Sequence, residues 1–547
     1  MKHQSILDRA IQANHERSFF AQYPEHPKAY GEEGMQAGLS NVKSFFNNFY
    51  NGLLQENMNA SVGEEVSPYT QEALNIRYPS ANPEVYIEQA KKAFASWKKT
   101  SKEVRADILI ECLEQIKTKF YEIAYATMHT TGQSFIMSFQ ASGPHSNDRA
   151  LEAIAAGYEA LNAYSADVLW EKPMGKFNLK LKKDFHAVPR GIGLVIGCST
   201  FPVWNTLPGV FADLITGNPV IIKPHPKAVL PIAIVVEEMQ KVFKSFQIDV
   251  NTVQLACDDS SHLITKVLCE HPAIKLIDYT GGSAFGNYVE GLSGKTVFTE
   301  KAGVNSVILD SANKIDDVLG NLAFAVSLYS GQMCTAPQNF FIPENVTTAE
   351  GPISFEEIAE KFKVAVSGIA NNPKMGPGTL GAIQNELTAD RVKNIGNLGK
   401  VVLLESNSIT NEEFPAARTC TPTILACDTS DKAVFEQELF GPIVLLIKTS
   451  NTEQSVSIAK DMCEKHGAIT CAVYCTDAVK SDWIKDEMES VFAPVSLNLT
   501  GFIWVNQHAA FSDFHVTGGN PAGNATFTNA AFVDRRFVWV GHREVIA

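Results

Sequence analysis

Ten cysteines are spread along this chain of 547 residues, and one of them, Cys334, stands in surroundings that suit a nucleophile. It lies among small and polar residues in the stretch 328–336, directly after an apolar run, 318–327, that predicts a helix. Sulfur attacks carbon readily even when it is only partly ionised, so a thiol at an exposed turn is a candidate nucleophile. The alternative is a small buried hydrophobic residue, the commoner role of a lone cysteine.

Two acidic positions could complete such a site. Glu300 closes an apolar, strand-like run and lies 34 positions before Cys334, where a carboxylate could act as a general base. Glu438 and Phe440 lie in the turn 437–442, which ends in Gly-Pro and could present an acid and a ring to a flat ligand. Each has a plain alternative: a solvated carboxylate for Glu300, and an ordinary chain reversal for the turn.

Glycines and a lysine indicate where phosphate or ribose could bind. Gly281 and Gly282 separate a strand-like run from a helix-like run, where backbone N–H groups can approach an anion at the start of the helix. Their spacing is not the GxGxxG fingerprint, so an ordinary turn is an equal alternative. Lys223 ends another strand-like run, at the edge where open α/β sheets bind ligands, although it could also be a solvated lysine.

Strands and helices alternate after Pro189 in a way that would bring these residues together. This alternation predicts βαβ units and therefore a parallel, doubly wound sheet, and a second block of the same kind begins after Gly303. A helix is predicted over 205–216, after the first strand. The predicted strands are 191–197, 219–223, 252–256, 274–279, 295–300, 306–310, 339–342, 442–447, 469–474 and 503–506.

Other regions fall outside this alternation. Before Pro189 the chain predicts mostly helices, in amphipathic patterns over 83–131 and 148–164. The run 177–188 alternates polar and apolar residues, which predicts a projecting strand with one wet face. The stretch 526–547 alternates in part and predicts an outlying strand that packs on the body or on a second subunit.

Composition argues against several classes of function. The net charge is −14 with acids and bases interleaved, and no basic stripe indicates a nucleic-acid partner. The cysteines form no CxxC pair and no His/Cys set has ligand spacing, so we expect no metal site. We also expect no membrane association and a cytoplasmic location, because the sequence contains neither an apolar signal core nor a run of membrane-spanning length.

Together the motifs resemble the aldehyde dehydrogenase superfamily, from residue 86 to residue 520. Thr-Gly-Gly-Ser, Gly-Gln-Met-Cys and Glu-Leu-Phe-Gly-Pro follow the order of that superfamily, and 34 positions is its interval between general base and nucleophile. The resemblance implies an α/β fold with two doubly wound parallel-sheet domains and a small β oligomerisation arm. The implied divisions are a dinucleotide-binding domain over 1–170 and 190–302, a catalytic domain over 303–510, and arms over 171–189 and 511–547.

The resemblance also implies roles. Cys334 would attack a small-molecule aldehyde to give a thiohemiacetal, NADP or NAD would take the hydride, and Glu300 would activate the water that cleaves the thioester. The implied cofactor contacts are Lys223 with the adenosine ribose, Gly281 and Gly282 with the pyrophosphate, and Glu438 and Phe440 with the nicotinamide ribose and ring.

Two positions depart from the family pattern. Aligning the chain on its Phe-Pro pair puts Thr200 where the family has its oxyanion-binding Asn, while Asn205 lies too near the next motif to match. The Thr200 hydroxyl can still donate one hydrogen bond. After Lys223 no carboxylate follows that would repel a ribose 2′-phosphate, and His225 or Lys227 could attract one, which favours NADP.

Within the superfamily, the stretches 23–31 and 199–205 resemble the branch named for phenylacetate degradation, the PaaN type. This implies a semialdehyde from aromatic ring cleavage, CoA-linked or not, and a homodimer or homotetramer. Two alternatives stay open. A CoA-acylating dehydrogenase typically lacks a base at the position of Glu300, and a catalytically silent binding paralogue is supported only by Thr200.

Overall fold

The computed structural model describes residues 1–31, 33–503, 510–516, 518–525 and 530–546. Its first sheet has five parallel strands made of short apolar runs that are buried on both faces. Within this sheet, the first strand in chain order, Ile192–Ile196, lies beside the fourth, Ile274–Gly281. The sheet therefore winds outwards from a switch point between these two strands, where open α/β sheets bind ligands. Across the sheet the strands are Val253–Leu255, Val220–Lys223, Ile192–Ile196, Ile274–Gly281 and Thr296–Lys301.

One helix of this sheet begins earlier than the sequence predicted. The helix predicted from Asn205 begins at Pro202, since proline suits the first helical turn, where its missing N–H would have no partner. Asn205 therefore lies in the first turn, facing the carboxyl edge of the sheet. The helices between the strands are Pro202–Ile215, Leu230–Ser245, Thr265–Glu270 and Ser283–Glu290.

The second sheet has seven strands; its edge pair Val401–Leu404 and Thr423–Asp428 is antiparallel and its other pairs are parallel. Beyond that pair the order is Ile443–Thr449, Asn339–Pro343, Ser306–Leu309, Cys471–Tyr474 and Val495–Leu497. Its helices are Ile315–Ser327, Phe355–Ala370, Gly376–Leu380, Glu386–Lys393, Lys432–Phe435, Thr452–His466 and Ala478–Glu489. The short strands Ser311–Ala312, Asn345–Thr348 and Gly351–Ser354 form a separate sheet. Of the predicted strand 503–506, only Ile503 is described, and it is not in a strand.

Helices dominate the chain before residue 167, as the sequence predicted. Ser146–Ala160 packs along Pro202–Ile215, and Gly157 allows the close approach, because a Cβ there would lie 2.4 Å from Ile215 Cγ2. The remaining helices of this layer are Gln4–Glu16, Glu33–Phe45, Pro83–Trp97, Lys102–Lys117, Phe120–Thr131 and Phe135–Gln140, with a paired-strand element of Ala60–Val62 and Tyr78–Ser80. No helix within the described residues is long and apolar enough to cross a membrane.

A three-stranded antiparallel sheet projects from the body. The predicted strand over 177–188 is present as Asn178–Pro189, and it pairs with Asp167–Pro173 on one side and with Phe537–Val545 on the other. The C-terminal strand thus pairs within its own chain; residues 526–529 and 547 of its predicted range lie outside the described part. The domain divisions, and a role for this sheet in joining subunits, stay predictions.

Arg536 ties the C-terminal segment to the first sheet. Its guanidinium is fully buried and donates to Asp278 at 2.6 and 2.8 Å and to Asp213 at 2.7 Å. Burial raises the pKa of Asp213 to about 7, although the charge of Arg536 acts in the opposite direction. One cation therefore compensates two buried carboxylates.

We expect Arg536→Leu to lower the free energy of unfolding by about 3–5 kcal/mol, because it leaves buried carboxylates without a cation. The loss should be smaller at about pH 5.5 than at about pH 8, since an unpaired buried carboxyl group has a raised pKa and is neutral at the lower pH. Urea denaturation measures both. Arg543→Leu removes an exposed guanidinium from the C-terminal strand as a control, and an equal loss in the two variants would contradict this account.

Candidate active site

Cys334 follows a tight left-handed turn. Tyr329 and Ser330 both have φ of +49°. This conformation costs a non-glycine residue roughly 1–3 kcal/mol and persists only where the surroundings enforce it. The Ser330 hydroxyl oxygen lies 3.0 Å from the carbonyl oxygens of Leu380 and of Cys420, and its one O–H group can donate to either. The turn is thus held by two other segments and gives the thiol a fixed position.

Asn305 holds the backbone on the other side of the thiol. Its amide donates to the carbonyls of Cys334 and Ala336, at 2.7 and 3.0 Å. Its side-chain oxygen accepts from the backbone N–H groups of Ile469 and Thr470. This buried side chain therefore joins the cysteine loop to the second sheet.

Glu300 lies near the carboxyl end of Thr296–Lys301 and is 2% exposed. The Asn205 amide donates to Glu300 Oε2 at 2.9 Å, and His515 Nε2 lies 3.2 Å from Oε1. Burial alone would raise the pKa of this carboxyl, but His515 and a hydrogen bond from the Cys334 thiol outweigh it and lower the pKa below its usual value of 4.5. Glu300 is therefore ionised at neutral pH.

The structure brings together the predicted nucleophile and the predicted base. A carboxylate oxygen of Glu300, Sγ of Cys334 and a ring nitrogen of His515 all lie within 4.8 Å of one another. Burial, and then the negative charge of Glu300, raise the pKa of the Cys334 thiol well above its usual value of 9.0. The thiol is thus protonated at rest and needs a proton acceptor before it can attack.

Two cavities meet at this thiol. One is about 360 Å³ and the other about 300 Å³, and Cys334, Phe201 and Asn205 line both. The smaller cavity leads to the carboxyl edge of the first sheet and contains most of the predicted cofactor contacts. Gly281, Gly282, Glu438 and Phe440 line it, together with the predicted catalytic residues Thr200 and Glu300, whereas the predicted cofactor contacts Lys223 and His225 do not.

The glycine turn has the features that a pyrophosphate needs. Gly282 is the N-cap of the helix Ser283–Glu290, and no side chain caps the helix there. A Cβ at Gly282 would meet nothing within 4 Å, whereas one at Gly281 would lie 2.5 Å from the Tyr279 hydroxyl oxygen. Free N–H groups at an open helix start favour an anion, so the residues present fit a bound dinucleotide.

At Lys223 the structure adds a carboxylate that the residues following Lys223 in the chain do not contain. The Lys223 ammonium lies 2.5 Å from the Asp258 carboxylate, and both side chains are buried. A carboxylate is therefore present, supplied by the neighbouring strand instead of the residues after Lys223. Burial and the charge of Lys223 lower the pKa of His225 to about 4, so His225 is neutral at pH 7 and adds no charge that would attract a phosphate.

The remaining predicted residues lie along the walls of the smaller cavity. The Thr200 carbonyl accepts from Gln133 Nε2 at 2.7 Å. Arg391 donates to the Phe440 carbonyl at 2.6 Å, which fixes the turn that carries Glu438. Burial raises the pKa of Glu438 to about 7.

The model of the aldehyde dehydrogenase family matches residues 56–522. The chain belongs to the aldehyde dehydrogenase family. This aldehyde dehydrogenase is similar to an NAD-dependent aldehyde dehydrogenase from Burkholderia multivorans, with a TM-score of 0.97, 42% identity, and coverage of 100% of this chain and 98% of that one. A 1-pyrroline-5-carboxylate dehydrogenase from Staphylococcus epidermidis is 24% identical over 537 residues, 94% of each chain. The structure of 1-pyrroline-5-carboxylate dehydrogenase from Thermus thermophilus has a TM-score of 0.76 at 18% identity and covers 97% of this chain and 99% of that one.

The predicted superfamily, fold class and enzyme type are confirmed, as is a nicotinamide dinucleotide, NAD or NADP, as cofactor. The phenylacetate branch, the semialdehyde, the cytoplasmic location and the residue roles stay predictions.

His515 and Asp258 belong to the site of this aldehyde dehydrogenase but could not be identified from the sequence. His515 follows Cys334 by 181 positions, with no motif to connect them. Asp258 follows a different strand from the one that Lys223 ends. The order of the strands in the sheet, which would have linked Asp258 to Lys223, is not visible in local patterns.

Proposed function

We propose that this protein oxidises an apolar or aromatic aldehyde to the carboxylic acid with NAD. The observation that carries the proposal is the position of Cys334 where two cavities meet, one leading to the dinucleotide edge of the first sheet and one lined mainly by apolar side chains. A thiol placed there can contact an aldehyde on one side and a nicotinamide on the other.

The larger cavity favours an uncharged substrate. Its apolar lining includes Ile136, Met137, Phe201, Trp204, Phe324, Leu328 and Met333. No lysine or arginine is among the described residues that line it, whereas Glu25 and Asp513 are. A free carboxylate on the substrate would meet like charge from Glu25 and Asp513, with no lysine or arginine among the described lining residues to pair with it. A semialdehyde from aromatic ring cleavage fits this cavity if its far end enters as an uncharged ester or thioester, and that substrate is part of our proposal.

The proposed chemistry uses the residues around the thiol. Cys334 attacks the aldehyde carbon, and side-chain donors, either Asn205 or Thr200, stabilise the oxyanion of the thiohemiacetal. The dinucleotide, when bound, supplies the hydride acceptor. Glu300 then removes a proton from the water that cleaves the Cys334 thioester. Proposed cofactor contacts are Lys223, Gly281, Gly282, Glu438 and Phe440, with His225 beside the adenosine end.

The preference for NAD rests on Asp258. Its carboxylate at the Lys223 end of the sheet can accept hydrogen bonds from ribose hydroxyls and would repel a 2′-phosphate. The similar protein from Burkholderia multivorans is NAD-dependent by name, which supports the same preference. Membership of the phenylacetate branch, and assembly as a homodimer or homotetramer through the projecting sheet, are further parts of this proposal.

A substrate panel tests the function. Aromatic, long-chain aliphatic and CoA-thioester aldehydes should give higher kcat/KM than carboxylate-bearing semialdehydes, because the described lining residues include no lysine or arginine for the carboxylate. The product should be the acid even when free CoA is present, since Glu300 provides a base for hydrolysis. Acyl-CoA as the main product would favour the CoA-acylating alternative, and no dinucleotide reduction with any aldehyde would favour a silent paralogue.

We expect Glu300→Gln to allow one round of hydride transfer and then stall, because the thioester forms but water is not activated. Stopped-flow absorbance should show a burst of about one NADH per site, followed by steady turnover slower by roughly 10²–10⁴-fold. Cys334→Ala should show no burst. Steady turnover like that of the wild type would remove Glu300 from the mechanism.

Asp258→Ser should move cofactor preference towards NADP. Removing the carboxylate abolishes the repulsion of the 2′-phosphate and frees the Lys223 ammonium to bind it. We expect the ratio of kcat/KM for NADP to that for NAD to rise by roughly tenfold or more, equivalent to at least about 1.4 kcal/mol. Asp259→Ser changes the adjacent carboxylate, which binds Ser261, and should leave the ratio unchanged. An equal loss with both dinucleotides in Asp258→Ser would contradict the assignment.

A further inference from the structure

His515 lies beside both the thiol of Cys334 and the carboxylate of Glu300. Its Nε2 atom lies 3.8 Å from Cys334 Sγ and 3.2 Å from Glu300 Oε1. The side chain is 7% exposed and lines the larger cavity next to the thiol. One imidazole nitrogen is therefore within reach of both groups of the proposed chemistry.

The Cys334 thiol needs a proton acceptor that becomes positively charged, which the Glu300 carboxylate does not. Only the thiolate is a strong nucleophile, and the surroundings of Cys334 favour its protonated form. Direct transfer of the thiol proton to Glu300 would leave the thiolate beside a neutral carboxyl group, with no new positive charge to stabilise it. An imidazole can accept the proton near neutral pH and becomes a cation when it does.

We propose that His515 is a catalytic residue that takes the proton of the Cys334 thiol before the attack on the aldehyde. The Sγ–H bond breaks, an Nε2–H bond forms, and the neutral ring beforehand carries its proton on Nδ1. The products are a thiolate and an imidazolium, so no charge is lost or gained. The new Nε2–H lies next to Glu300 Oε1, and a hydrogen bond between oppositely charged groups stabilises the pair.

Aromatic packing orients the imidazole. The rings of His515 and Trp204 are perpendicular, with centroids 4.8 Å apart, and the Arg149 guanidinium lies 3.8 Å from the centroid of the Trp204 ring. Arg149 is buried, so it adds positive charge behind the tryptophan that favours anions at the site. Among the described residues, the charged or titratable groups near the imidazole include Glu300, Cys334, Asp513 and Arg149.

The N-terminal part of the chain holds the loop that carries His515. Arg17 pairs with Glu152 at 3.1 Å and donates to the Asp513 carbonyl at 2.8 Å. Glu152 also accepts from the Phe511 backbone N–H at 2.9 Å. Arg17, which caps the helix Gln4–Glu16, thus contacts the loop two positions before His515, so this helix has a role in positioning the imidazole.

Alkylation of Cys334 by iodoacetamide, followed by peptide mass spectrometry, tests the proposal without any aldehyde. Wild-type Cys334 should react at neutral pH, whereas in His515→Gln its rate at about pH 7 should fall roughly tenfold or more and recover only in the alkaline range. With aldehyde, kcat/KM should fall roughly 10²–10⁴-fold. In His515→Ala, added imidazole should restore part of both rates, which repacking alone would not do. Retained NAD binding and an unchanged thermal midpoint would show that the variants fold.

His271→Gln is the matched control, because His271 precedes the strand Ile274–Gly281 at the opposite end from the site, and it should leave alkylation and turnover unchanged. The same pH profile in wild type and His515→Gln would overturn the inference. A second result would also overturn it: a wild-type pH profile that becomes like that of His515→Gln when a metal chelator is added. Glu300, Cys334 and His515 would then be ligands of a metal ion. Although the step rests on the proposed function, absence of aldehyde oxidation in the wild type would refute that function and leave the alkylation result intact.

Discussion

The protein holds a half-buried thiol and a buried carboxylate side by side where two cavities meet. Two anions there repel each other strongly, because the interior screens charge poorly. Much of the surrounding structure compensates for this conflict. The Asn205 amide and the His515 ring contact Glu300, and the buried cation of Arg149 lies behind Trp204. The reactive form of Cys334 is thus available only when a proton has somewhere to go.

Rigid backbone supports this arrangement. The left-handed turn at Tyr329 and Ser330 stores conformational strain that Leu380 and Cys420 hold in place. Asn305 fixes the backbone after the turn. Because these contacts come from different segments of the second sheet and its loops, the thiol has little freedom to turn away from the junction of the two cavities.

Much of this site could be predicted because its motifs lie at strand ends. Parallel strands end at the same edge, so Glu300 and Gly281, on neighbouring strands, had to lie near each other once the alternation was recognised. Asp258 could not be paired with Lys223, since only the lateral order of the strands places Val253–Leu255 beside Val220–Lys223. His515 lies in an irregular loop whose position depends on Arg17 and Glu152, contacts that no periodic pattern encodes.

The position of Arg536, directly before the C-terminal strand Phe537–Val545, has a consequence for biosynthesis. Asp278 lies on a strand of the first sheet and Asp213 in the helix Pro202–Ile215 that covers it, but the guanidinium that neutralises them is at position 536. During translation the amino-terminal half therefore emerges with an uncompensated acidic interior, and its native packing has to wait until the ribosome has added nearly all of the remaining chain. Prematurely terminated products would lack this cation and would be substrates for chaperones and proteases.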